Sequence, residues 1–128
     1  SDSRVGRVEA STLDVQGVRP SLIVVVGVAG LWRLTERIEE IAAHPVVIAV
    51  AGMDAAMVSV LGGLVPGLLV AVPTSTGYGA ARGGETALAA SLATCAPGVV
   101  VCNIDNGYGA ACAALRALKT AHLVHIAN

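Results

Sequence analysis

The residues of this chain that could do chemistry are few and gather at turns. Cys95 sits in Cys95-Ala96-Pro97-Gly98, just before the β-branched run Val99-Val100-Val101, and Asn103, Asp105, Asn106 and Gly107 follow that run before an Ala-rich segment. Such a pattern is a buried strand delivering polar groups to a helix N-terminus, where free amides and the positive end of the helix dipole favour anions. A second polar stretch, residues 73 to 84, reads Pro-Thr-Ser-Thr-Gly-Tyr-Gly-Ala-Ala-Arg-Gly-Gly. Loops of this length in a compact domain are usually functional. Here Thr74, Ser75, Gly77, Tyr78 and Gly79 offer hydroxyls and close backbone approach for a phosphate or ribose, with Arg82 as the nearby cation for a phosphate or carboxylate. On residue type alone Cys95 is a structural turn residue or a nucleophile, while Asp54 and Asp105 are helix caps or ligand contacts.

Composition narrows the classes. The chain of 128 residues is one domain, 55% hydrophobic and 2% aromatic with no Phe, so its core is Val, Ala, Leu and Ile packed close with Gly. Net charge is −1 with no Lys/Arg cluster, which excludes a nucleic-acid partner. The three cysteines have no metal spacing, and their odd count predicts reduced thiols and a cytoplasmic setting. Cys102 and Cys112 read as core filler.

Of seventeen charged side chains (eight basic, nine acidic), eleven lie in residues 1 to 44, too uneven a spread to coat the later helices with charge. The run Pro45 to Val72 carries only Asp54. It is cut by Gly52, Gly62, Gly63, Pro66 and Gly67 into pieces too short to span a membrane. Other copies of the chain, rather than lipid, are the expected cover.

The elements that must position these residues follow from periodicity. A helix capped at Ser1-Asp2-Ser3 runs from Val5 to Val15, then strand Leu22 to Val26, amphipathic helix Leu31 to Ala43, strand Val46 to Val50 and helix Ala55 to Leu64. Strand Leu68 to Val72, the polar loop, helix Glu85 to Thr94, strand Val99 to Val101, helix Ala110 to Leu118 and a tail carrying His122 and His125 complete the chain. The alternation predicts an α/β fold, a flavodoxin-like three-layer sandwich with a parallel sheet. A first strand is missing, so the chain reads as the C-terminal part of a longer protein. The strand ends Gly27 to Gly30, Gly52 to Asp54, Thr74 to Gly79 and Asn103 to Gly107 then share the carboxyl edge, where such sheets bind ligands.

Taken in order, Gly27-Val28-Ala29-Gly30, Ala51-Gly52-Met53-Asp54, Ala71-Val72-Pro73-Thr74-Ser75-Thr76-Gly77-Tyr78-Gly79, Cys95-Ala96-Pro97-Gly98 and Asn103-Ile104-Asp105-Asn106-Gly107-Tyr108-Gly109-Ala110-Ala111 resemble one family. It is the C-terminal domain of pyridinium-3,5-biscarboxylic acid mononucleotide synthase, of nickel-pincer nucleotide biosynthesis, which is related to the aminoimidazole ribonucleotide carboxylase/mutase of purine synthesis. The resemblance implies carboxylation of the pyridinium ring of nicotinic acid adenine dinucleotide by CO2 or bicarbonate, with hydrolysis of the phosphoanhydride and release of AMP. It implies Cys95 as a thiolate nucleophile, and Asp54 and Asp105 as a base or as holders of Mg2+ on the phosphates. Ser1, Asp2, Gly30, Gly52, Asn106 and Gly107 fall with the substrate-binding corners, and a homo-octamer is the implied assembly. Two departures stand out: Trp32-Arg33 replaces the family's His-Arg, and Asp54 replaces its Glu. A mutase-like activity on carboxyaminoimidazole ribonucleotide and a non-catalytic oligomeric scaffold are the alternatives.

Overall fold

The computed structural model of the chain describes residues 30 to 53 and 55 to 120. The helix expected over residues 5 to 15, the strand over 22 to 26, and Ser1, Asp2, Asp54, His122 and His125 lie outside the described residues.

Three apolar runs form strands β1 (Val46–Ala51), β2 (Leu68–Pro73) and β3 (Val99–Val101), paired in parallel in the order β1-β2-β3. Register pairs Val46 with Leu68 and Leu69 with Val99. Between and around them run α1 (Leu31–Glu36), α2 (Ile38–Ala42), α3 (Ala56–Leu64), α4 (Glu85–Leu92) and α5 (Gly107–Thr120), with tight turns of 3-10 type at Gly79–Gly84. The fold is α/β with a flavodoxin-like arrangement of helices about a parallel sheet.

Because side chains alternate along a strand, each strand feeds two cores. Ala49, Leu69 and Ala71 face a cluster with Val58 and Leu61 of α3 and Ala87 of α4, joined by Leu34 of α1 and Ile41 of α2. On the other face Val70 and Val72 meet Ala110 of α5, with Val46, Ile48 and Val50 packed against them. β2 is therefore covered on both sides, and Val70, Ala71 and Val72 have no exposed surface. That explains why it is an unbroken apolar run rather than an alternating one.

Two helices differ most from expectation, the others by no more than two residues at an end. The segment over residues 31 to 43 is broken at Arg37, whose amide bonds back to Leu34 O at 3.0 Å. The hydroxyl of Thr35 donates to Trp32 O at 2.9 Å, a side-chain competitor for helical carbonyls just before the break. α5 begins at Gly107 rather than Ala110, because a cap on Asn106 offsets the poor helix propensity of Gly107 and Gly109.

Candidate active site

Beyond the last rungs of the sheet, backbone bonds carry three strand ends into contact. Thr74 N–H donates to Ala51 O at 3.0 Å, Met53 N–H to Thr76 O at 3.4 Å, and Asp105 N–H to Pro73 O at 2.8 Å. The corners after β1, β2 and β3 thus form one surface at the carboxyl edge.

At its centre the hydroxyls of Thr74 and Thr76 lie 2.5 Å apart, with Thr74 almost fully buried. They press on Gly52, where a Cβ would stand 2.3 Å from Thr76 Oγ1 and 2.6 Å from Thr74 Oγ1. Only a residue without a side chain fits there. Gly84 closes the other end of the polar loop at φ 103, against Thr74 O and the side chain of Ile104, conditions that both demand glycine.

Asp105 binds this loop through its side chain. Ser75 N–H donates to Asp105 Oδ1 at 2.9 Å and Ser75 Oγ to Asp105 Oδ2 at 2.7 Å. Those two bonds, the hydroxyl first, hold the Asp105 carboxyl below its ordinary range. Asp105 itself has φ 61, the third position of the turn closed by Asn106 N–H on Asn103 O, and Asp is among the residues that tolerate it. The cap of the last helix, one of the two roles open to Asp105, belongs instead to its neighbour: Asn106 Oδ1 accepts from Gly109 N–H at 2.9 Å. The amides of Gly107 and Tyr108 open the same first turn, the geometry that receives anions.

Left-handed backbone is concentrated here. Among the described residues, the non-glycine positions with positive φ are Met53, Ala55, Arg82 and Asp105, all in corners or loops of this edge. For residues other than Asn and Asp such conformations are costly and persist where surrounding structure imposes them. Arg82 is exposed within the tight turns.

The chain is similar to an uncharacterized protein of Methanocaldococcus jannaschii, 39% identical over 112 residues. The match takes in 86% of this chain but 43% of the archaeal protein, so the chain spans less than half of that relative's length. No family model matches the chain.

Of the expected site residues, the structure brings together Gly52, Thr74, Ser75, Gly77, Asp105, Asn106 and Gly107, and places Tyr78, Gly79 and Arg82 in the adjoining loop. Gly30 is buried at the start of α1. Cys95 is elsewhere. It lies exposed in the turn from α4 into β3, at the amino edge, the end of the sheet opposite the corners. Thr94 Oγ1 fixes that turn, accepting from Ala96 N–H at 3.2 Å and pairing with Ser59 Oγ of α3 at 2.8 Å. Burial pushes the Cys102 thiol up, as befits a packing residue.

Aromatic placement was not foreseen from residue type. The chain has one Trp and two Tyr, and none is in the core: Trp32 is 57%, Tyr78 82% and Tyr108 60% exposed. The Trp32 ring lies under the Arg33 guanidinium, its centroid 5.0 Å away. Tyr78 and Tyr108 border the polar corners in sequence, Tyr108 on the first turn of α5.

Proposed function

We propose that the chain is the carboxylating domain of a pyridinium-nucleotide synthase, acting on nicotinic acid adenine dinucleotide with CO2 or bicarbonate and releasing AMP. The observation that carries this reading is the joined carboxyl edge: the Thr74–Thr76 hydroxyl loop with Gly52 beneath it, tied by Asp105 to the corner that opens the first turn of α5. Helix amides suit a phosphate, and exposed aromatic rings beside them suit a flat heterocycle.

The chemistry asks for a nucleophile. A pyridinium carbon is too electron-poor to attack CO2, whereas a thiolate bonding to ring carbon 4 gives a dihydropyridine whose carbon 5 is an enamine-type nucleophile. Carbon 5 bonds to CO2, a base takes the carbon 5 proton, and the electrons restore the aromatic ring as the carbon–sulfur bond breaks. Cys95 is assigned as that thiolate. Since it sits at the amino edge of its own sheet, the assignment requires Cys95 of one subunit to serve the corners of another. Exposed Leu64, Leu92, Val100 and Leu118 on the helices and edge strand favour such an assembly, which the resemblance puts at eight copies.

Magnesium fits as an ion carried on the substrate phosphates. Among the described residues no group of three His, Cys, Asp or Glu side chains forms a cage, and Mg2+ on phosphates needs only one or two carboxylates. It would screen phosphate charge during anhydride hydrolysis, carried by the substrate. The test is turnover by the full-length protein. AMP release that depends on bicarbonate is expected; release unchanged by omitting bicarbonate would assign a plain hydrolase.

A further inference from the structure

Asp105 was a candidate for proton transfer, yet its geometry describes another task. Both carboxylate oxygens are directed at one residue, Oδ1 taking the Ser75 amide and Oδ2 the Ser75 hydroxyl, while its own amide is tied to Pro73 O. Three bonds therefore join one residue of the β3 corner to two residues of the β2 corner, across thirty positions of sequence. A catalytic base needs a lone pair aimed at the proton it takes, and two of the roughly four lone-pair sites of this exposed carboxylate are already taken by Ser75, whose bonds also favour its ionised, weakly basic form. Ser75 Oγ, having donated its proton to Asp105, keeps only acceptor capacity and is unsuited to contacting a phosphate oxygen. Phosphate contact then falls to backbone amides and to neighbouring groups such as the exposed Arg82, and amides bind well only when the loop carrying them is fixed.

We propose that Asp105 is a positioning residue that latches Ser75, so that the polar loop after β2 and the first turn of α5 present their amides to the substrate phosphates as one rigid surface. The inference rests on the function proposed above, and it removes Asp105 from the proton-transfer step of that function.

Kinetics of the full-length protein separate the two roles. Asn keeps an acceptor for the Ser75 amide, and its NH2 can donate to Ser75 Oγ, so Asp105→Asn preserves the latch but cannot act as a base. Asp105→Ala is expected to raise KM for nicotinic acid adenine dinucleotide on the order of tenfold, with a smaller effect on kcat. Asp105→Asn should recover most of that loss. Ser75→Ala, a milder change at an exposed position, should raise KM in the same direction and add little to Asp105→Ala in the double variant. Loss of kcat in Asp105→Asn as deep as in Asp105→Ala, with KM unchanged, overturns the proposal and makes Asp105 the base. Amide exchange at Ser75 decides independently of activity: protection lost in Asp105→Ala and kept in Asp105→Asn supports the latch, and unchanged protection in Asp105→Ala sinks it. Should the wild type release no AMP, the functional reading falls, and the exchange result still stands for or against the latch.

Discussion

At the scale of single residues, the carboxyl edge is held by contacts that each answer to one substitution. Asn106→Ala removes the cap of α5 and should cost about 1 kcal/mol of stability, read by chemical denaturation, while Asn106→Asp keeps an acceptor and most of the stability. Gly52→Ala places a methyl against two hydroxyls and is expected to cost about 1–3 kcal/mol, with Thr76→Ala in the same chain restoring part of it. The latch also has a pH signature. Because Asp105 is lowered in the folded state, its contribution is complete above the ordinary carboxylate range near pH ~4 and is lost as pH falls through the lower folded value. Ser75 amide protection should therefore persist from neutrality down to pH ~4 and fade below it in the wild type, and show no such fading in Asp105→Asn; fading in both would show that another group controls the loop. Little of this was legible in the sequence. Which of Asp105 and Asn106 caps a helix depends on a single residue of phase, and the Ser75–Asp105 pair exists only because parallel register sets the ends of β2 and β3 side by side.

At the scale of elements, the reading from sequence was firm wherever burial dictates pattern. Apolar runs bounded by Gly and Pro read as strands, and Val46, Leu68 and Val99 each begin one; the run Val99–Val101, expected to be buried, is instead the end strand of the described sheet and only partly buried, with Val100 46% exposed. Helix limits were harder, since Gly107 and Gly109 disguise the start of α5 and Thr35 interrupts the segment that became α1 and α2. Leu34 is the buried anchor by which α1 joins the core. Leu34→Ala is expected to destabilise by about 2–5 kcal/mol in a denaturant titration. A loss under 1 kcal/mol would mean that α1 contributes little to the fold. On the opposite face Ala110 touches β2 with no exposed surface, so Ala110→Leu should overpack that layer and cost about 1–3 kcal/mol.

At the scale of the whole molecule, no helix among the described residues is long and apolar enough to cross a membrane. Apolar side chains left on the outer faces, Leu92 at 67% exposure foremost, call for a cover. Light scattering of the full-length protein should show a homo-oligomer at micromolar concentration, and a stable monomer would remove the route by which Cys95 reaches a neighbouring carboxyl edge. Assayed at substrate concentrations well below KM, where the Asp105→Ala defect is expressed, mixed oligomers refolded from Cys95→Ala and Asp105→Ala subunits should outperform either parent, through sites that combine an intact copy of each. The claim beneath all of this is the reaction itself. The most direct measurement is AMP formation by the full-length protein from nicotinic acid adenine dinucleotide and Mg2+, with and without labelled bicarbonate. Bicarbonate-dependent AMP with label in the mononucleotide product, abolished in Cys95→Ala, is the result predicted; no AMP, or AMP with an unlabelled mononucleotide, would contradict it.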